Sequence, residues 1–349
     1  MKPKHLTTIA SFCLLIASVG FFFKTVAQSS SNTGQDGPAN HSGYRLSGPY
    51  IYENLTVFLV HGSDVTNKTF ITLQEALEAK KVKIYETKDV NELAIKNLSN
   101  QNIYVQAGEI VRGGDQDRMI SIDFIVPPRS GRMPIAAFCV ESGRWNKRGS
   151  EESASFSSSE NMIATKDLKL AAKRENSQQA VWENVKVAQE KLSANVGGSV
   201  QAPASMSSFE LSVENGKVKE TTAAYIKTLY GIMENKPDVI GYVFAINGHV
   251  NSADVYASRT LFAKLWPKLL KASAVEAVAE LNKDVEAKPV VSETVHTFLA
   301  ESEKATAAAR QLTPHVKLVT REDDKNIFFE TQDRAANDGW VHRNYIRKQ

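Results

Sequence analysis

Apolar and polar positions along this chain follow three regimes. Between residues 48 and 145 the segments YIYENLTVFLVHG, VKIYET, LAIKNL, NIYVQAGEIV, MISIDFIVPP and MPIAAFCVESGRW are rich in β-branched and aromatic residues, which suits strands on a pleated, half-buried surface. One helix interrupts them: TLQEALEAKKV has helical spacing, and Thr72 with Glu75 three residues later forms a capping box. From 146 to 236 the pattern changes. After the polar, Ser-rich NKRGSEESASFSSSENM, a stripe of Val181, Val185, Ala188 and Leu192 predicts a helix ending at glycine, and Ile226, Leu229, Tyr230 and Met233 predict another, stopped by Pro237. The last third opens on two apolar runs joined by Asn247 and Gly248, the strongest short-range hairpin signal in the chain. RTLFAKLWPKLLKASAVEAVAEL then predicts a long apolar helix, bent or broken near Pro267, before a shorter helix over 293–310 and strands near 315–331. The fold class is therefore α+β: a strand-rich N-terminal part over 45–150 forming a curved sheet or sandwich, a helical insertion over 151–236, and a hairpin with helices over 237–349. No repeat with a period of about 20 to 50 residues occurs, which argues against a solenoid or propeller and leaves room for the first and last thirds to share a sheet.

The N-terminus changes the expected location. Lys2, Lys4 and His5 precede an apolar run over 6–23 and the small-residue pattern Thr25, Val26, Ala27, the form of a secretory signal peptide over 1–27. The run is 18 residues long, the lower limit for a membrane helix. An uncleaved anchor is thus the alternative, and membrane contact is expected only in that case. Residues 28–44, beginning QSSSNTGQDG, have no apolar period and read as a flexible tether. The rest is expected outside the cytoplasm, periplasmic or extracellular. Cleavage removes Lys2, Lys4 and Lys24 and no acid, so the 42 basic residues fall to 39 and match the 39 acids. A neutral chain lacks the clustered positive surface of a nucleic-acid binder. Cys139 then has no intramolecular partner, and its apolar neighbours predict a buried thiol.

Candidate chemistry concentrates in AGEIVRGGDQDRMI, residues 107–120. Counting by twos puts Ile103, Val105, Ala107, Glu109 and Val111 on one strand face, so the Glu109 carboxylate ends an apolar row and needs a donor, a cation or a proton. Gly113 and Gly114 would let the chain turn back and bring Arg118 beside Glu109, with Gln116 in the same turn. In FCVESGRW the same count aligns Ile135, Ala137, Cys139 and Glu141, followed by Arg144 and Trp145. Two strands, each with a glutamate and a nearby arginine, permit three readings. The arginines hold a phosphate or carboxylate ligand, the paired glutamates Glu109 and Glu141 serve as catalytic acid and base, or an Arg–Glu network pins the strands together. His61 is expected on a rim, His249 in solvent, and HRNY at 342–345 shows no recognisable geometry. No Cys/His cluster with metal spacing, phosphate-binding glycine loop or Gly-x-Ser-x-Gly elbow occurs, so no metal site is expected and no cofactor is indicated.

GEIVRGGDQDR, FCVESGRW and GYVFAINGHVNSADVYASRTLFAKLWPKLLKASAVEA, in that order, resemble the bacterial ARPP-1 domain, over about residues 50 to 300. The resemblance implies characteristic positions at Glu109, Gly114, Gln116, Arg118, Cys139, Glu141, Arg144, Trp145 and, in the third motif, Asp254. Where the family has a basic residue in the glycine turn, this chain has Asp115, so the resemblance does not extend a phosphate-binding role to that turn. The family name records association with ADP-ribosylglycohydrolases and rhodanese-type phosphatases, and association is not activity. The combined expectation is an exported protein binding a small polar ligand, nucleotide-like or ADP-ribose-like, through the Arg/Glu cluster. A hydrolase with paired glutamates and a structural envelope protein without a small ligand are the alternatives.

Overall fold

The computed structural model describes residues 43–146, 148, 156–282, 289–337 and 339–348, without the side chains of 160–162. The expected signal peptide and most of the tether lie outside the described residues. The first elements are β1 (Arg45–Tyr52), β2 (Leu55–His61), β3 (Phe70–Thr72), α1 (Leu73–Glu78), β4 (Val82–Glu86), β5 (Glu92–Asn97), β6 (Asn102–Val105), β7 (Glu109–Gly113), β8 (Arg118–Ile120), β9 (Phe124–Val126), β10 (Met133–Cys139) and β11 (Phe156–Ile163). The helices α2 (Lys166–Lys173), α3 (Gln178–Asn195), α4 (Phe209–Val213) and α5 (Gly216–Leu229) follow. The chain ends with β12 (Val239–Ile246), β13 (His249–Tyr256), α6 (Arg259–Ala279), α7 (Ser292–Ser302), β14 (Ala307–Thr313), β15 (Val316–Glu322), β16 (Asn326–Asp333) and β17 (Gly339–Arg347). The α+β expectation holds.

An antiparallel eight-stranded sheet in the order β1-β2-β12-β13-β17-β16-β15-β14 joins the two ends of the sequence. Strands β2 and β12 are apolar on both sides because both sides are covered. Leu55, Val57 and Leu59 of β2 pack with α6, α3 and α5. Phe58 and Val60, pointing the other way, pack with Val295, Phe298 and Leu299 of α7. The expected half-buried sheet is thus buried on both faces in its centre. Farther along, Leu318, Ile327, Phe329 and Ile346 meet apolar residues of two smaller sheets, one of six strands (β11-β7-β8-β10-β5-β4) and one of three (β3-β6-β9).

Local signals behave as their chemistry demands. Thr72 and Glu75 form the capping box of α1, and Asn247 (φ 52°) and Gly248 (φ 79°) make the β12–β13 hairpin turn. Helix α6 runs unbroken through Pro267, so the expected break does not occur. An interior proline costs about 3 kcal/mol. Burying Leu261, Phe262, Leu265, Trp266, Leu269 and Leu270 contributes about 1.5 to 3 kcal/mol each and outweighs it. The helix expected over 293–310 stops at Ser302, and 307–313 forms the edge strand β14. The Ser-rich segment contributes β11, and 149–155 fall outside the described residues. The buried stripe of α5 is Val218, Thr222, Tyr225 and Leu229, while Tyr230 is exposed. No helix among the described residues is long and apolar enough to cross a membrane.

Candidate functional site

The chain from β6 to β7 does not continue as one strand. Gly108, at φ +91°, turns it between two sheets, and a Cβ there would stand 2.9 Å from Ile163 and 3.1 Å from the stem of Lys169. Glu109 therefore starts a new strand rather than extending the row Ile103, Val105, Ala107. Its carboxylate accepts from the backbone N–H of Gln106 at 3.0 Å and from Lys268 Nζ of α6 at 3.2 Å, and Lys268 also donates to Ser158 Oγ at 3.0 Å. Arg118, expected beside Glu109, donates instead to Glu86 Oε1 at 3.1 Å and to the carbonyls of Val90 at 2.6 Å and Asp89 at 3.3 Å. The cause is the turn. Gly114 (φ +58°) packs so tightly that a Cβ would meet Phe156 Cζ at 2.4 Å and Glu86 Oε2 at 2.9 Å, which sets Glu86 over this hairpin.

Glu141 lies beyond the end of β10 and belongs to a different network. It accepts from Arg144 Nε at 2.8 Å and from the backbone N–H of Asp117 at 3.2 Å, and Arg148 stands 3.6 Å away. Arg144 also donates to the carbonyls of Asn146 and Gly114 and to Asp117 Oδ1, while Arg148 donates to Asp117 Oδ2 at 3.0 Å. Burial and the neighbouring Glu141 push the Asp117 carboxyl above the usual range against the pull of Arg148 and Arg144. Gln116 bridges the strand ends, donating to the Glu141 carbonyl at 2.8 Å and accepting from Cys139 Sγ at 2.7 Å. Burial pushes the Cys139 thiol up to about 11, which disfavours the reactive thiolate. Among the described residues Glu109 and Glu141 share no hydrogen-bond or ion-pair partner. The terminal nitrogens of Arg118 and the guanidinium of Arg144 face protein carboxylates and carbonyls, Arg118 Nε has no partner among the described residues, and Trp145 is 54% exposed.

Asp254 is in neither network. It lies on the inner face of the eight-stranded sheet, level with Tyr242 on one side and Asn344 on the other, with Ser252 and Tyr256 on the same face of β13. His342, from the HRNY segment, is buried opposite Tyr256 and stacks on it at 4.5 Å. Its Nδ1 contacts Asp123 Oδ2 at 2.8 Å and its Nε2 contacts Asp254 Oδ1 at 3.0 Å. Burial alone would lower its pKa, but the carboxylates of Asp123 and Asp254 win and raise it. The same contacts hold Asp123 well below its ordinary range despite burial. Asp254 is also lowered against burial, by Lys169 and then His342. His342 is thus clamped between two carboxylates that favour its protonated form, and HRNY has a geometry its sequence did not reveal. His61, expected on a rim, is buried between Asp238 and Ser47; His249 is exposed as expected.

Helix α2 covers this patch with lysines at helical spacing. Lys166, Lys169 and Lys173 recur at i, i+3 and i+7. The backbone N–H of Lys166 donates to Glu276, and the Lys173 ammonium lies 4.2 Å from the Phe329 ring. Burial lowers the Lys173 pKa against the attraction of Asp123 and Asp254. Four buried polar atoms around the patch have no hydrogen-bond partner among the described residues: Lys173 Nζ, Tyr104 Oη, Asp254 Oδ2 and Ser252 Oγ. The cost of one such group is about 1 to 3 kcal/mol, so four together mark a place where the fold tolerates expense. Sequence reasoning missed Lys169, Lys173, Asp123 and His342. The lysine spacing and the alternation of His342, Asn344 and Ile346 were the available signals.

Fold and site define an α+β protein with a three-sheet core and an ionic cluster in its interior. The chain matches the family model of the ARPP-1 domain, the ARG and Rhodanese-Phosphatase-superfamily-associated Protein domain, over residues 43–346 and belongs to that family. No curated protein and no solved structure matches it.

Proposed function

We propose that this is an exported protein that binds a small polar ligand in the interior, between α2 and the inner face of the eight-stranded sheet. The observation that carries the reading is the concentration of unpartnered donors and acceptors there, from Lys173, Tyr104, Asp254 and Ser252. Export is supported by the charged, apolar and small-residue succession over 1–27. The GGDQDR and FCVESGRW residues support this reading as scaffold rather than as ligand contacts, since protein acceptors engage Arg118 and Arg144. Hydrolysis by Glu109 and Glu141 finds less support, because each is tied to its own cation.

The test is expression of the full chain in a Gram-negative host. Fractionation and N-terminal sequencing are expected to find a periplasmic protein beginning at Gln28. The purified protein is then screened by thermal shift against amino acids, organic acids, sugars, phosphates, nucleotides and ADP-ribose. A ligand at 100 times its dissociation constant stabilises by about 2.7 kcal/mol. A hit lost in Asp254→Asn but kept in Arg118→Lys supports the interior site. A hit lost only in the Arg118 variant returns the site to the glycine turn, and no hit at all overturns a binding role for both.

A further inference from the structure

The partners missing from the interior cluster specify a chemistry. His342 gives both ring nitrogens to Asp123 and Asp254, so it has no proton to offer elsewhere. Asp123 is also filled, accepting from the Ala107 N–H at 2.7 Å and from Thr331 Oγ1 at 2.6 Å. Asp254 is half filled: Oδ1 takes His342 and Asn344, and Oδ2 takes nothing among the described residues. Two buried donors of the same cluster, Lys173 Nζ and Tyr104 Oη, also lack partners among the described residues. Lys173 is attracted by Asp123 and Asp254 and lies against Phe329, which shares a row of the sheet with Asn344 and Asp254. Tyr104 meets Tyr256 and His342 edge-on, within the field of the same two aspartates.

Lys169, Lys173 and His342 face Asp123 and Asp254, and Lys169 also faces Glu276, while Glu109 pairs with Lys268 at the flank. Among these groups one carboxylate oxygen, Oδ2 of Asp254, has no donor among the described residues.

We infer that the cluster takes a small carboxylate that also carries a hydroxyl or ammonium donor, its anionic end on Lys173 and Tyr104 and its donor on Oδ2 of Asp254. Ser252, on the same strand face, serves the donor end. The inference rests on the reading that the interior cluster is the ligand site, and it adds the ligand class.

The experiment is calorimetric titration of the protein obtained from the full chain with matched probes: L-malate against succinate, L-serine against propionate, and inorganic phosphate as an anion without a carbon chain. At least one donor-bearing carboxylate is expected to bind about tenfold or more tightly than its match, because a site built to pair with a donor leaves a buried acceptor bare when the donor is missing. Asp254→Asn, which keeps an acceptor for His342 and Asn344 but replaces the free oxygen, is expected to erase that preference. Lys173→Gln is expected to abolish binding of every carboxylate. Should Lys173→Gln fail to fold by circular dichroism, Ser252→Ala is the milder variant and is expected to shrink the preference alone. Equal binding within both matched pairs overturns the ligand class and leaves the interior site standing, provided Lys173→Gln or Asp254→Asn weakens the binding. A nucleotide or sugar hit sensitive to Asp254 likewise overturns only the class. No binding by any probe, with neither variant altering the response to the wider ligand screen, overturns both.

Discussion

Replacing His342 by phenylalanine tests the ionic clamp directly. The change preserves an aromatic ring to stack on Tyr256 and deletes the cation between Asp123 Oδ2 and Asp254 Oδ1. Asp123 keeps the Ala107 N–H and Thr331, and Asp254 keeps Asn344, but neither keeps this charge partner. Removing one member of a buried pair costs about 3 to 5 kcal/mol, because the remaining charge stays desolvated. A domain stability of about 5 to 15 kcal/mol leaves the variant foldable, so urea denaturation read by two coincident optical probes is the assay. The pH profile supplies an independent sign. His342 has a raised folded pKa, so its contribution is complete below the unfolded value of about 6.5 and is lost as pH rises through the folded value. Asp123 and Asp254 are lowered, so theirs is present above about 3.9 and lost as pH falls. The wild type is expected to lose stability above about pH 6.5 along a one-proton slope that His342→Phe lacks. A loss under about 1 kcal/mol, with wild-type and variant profiles parallel, would refute the clamp.

Four further outcomes follow. Glu109→Gln and Lys268→Met are each expected to destabilise by about 2 to 4 kcal/mol, and the double variant by less than their sum, since their 3.2 Å contact is buried on both sides; additive losses in urea titrations would mean the two do not interact. Arg118→Ala strips the partner from the nearly buried Glu86 and two carbonyls and is expected to cost about 3 kcal/mol or more, whereas Trp145→Ala, at an exposed position, should stay within about 0.5 kcal/mol. Gly114→Ala forces a side chain into positive φ and against Phe156, for an expected loss of about 1 to 3 kcal/mol; an unchanged melting temperature would contradict the turn geometry. Cys139, with its thiol pushed up to about 11, should resist a thiol-reactive disulfide reagent in the native state at pH 8 and react promptly in denaturant; fast native labelling would show that it is accessible.

Much of the fold was legible along the chain because its signals are local. A capping box needs only Thr72 and Glu75, a hairpin turn only Asn247 and Gly248, and the 3.6-residue period of α3 marks Val181, Val185 and Leu192 as buried, although Gln189 rather than the expected Ala188 completes that side. Family membership was legible too, since it rests on residue types in order. Strand continuity was not. NIYVQAGEIV alternates as one strand, yet a positive φ at Gly108 hands its halves to different sheets, and the side reached by Glu109 follows from that turn rather than from the count.

Ion pairing was decided by tertiary structure alone. The sequence by itself determined that Glu109, Arg118, Glu141 and Arg144 are too costly to bury unpaired, but not which carboxylate meets which cation. Sequence proximity suggested Arg118 for Glu109; the fold supplies Lys268, from 159 positions away, and gives Arg118 to Glu86. The same holds more strongly for Asp123, Asp254 and His342, which come from three distant stretches. Neighbouring strands of the large sheet place His342 and Asp254 side by side, and the packing of the smaller sheets against it delivers Asp123. Periodicity shows which face a side chain takes, whereas Coulomb energy depends on distance in three dimensions, and that distance exists only once the sheets have paired and packed.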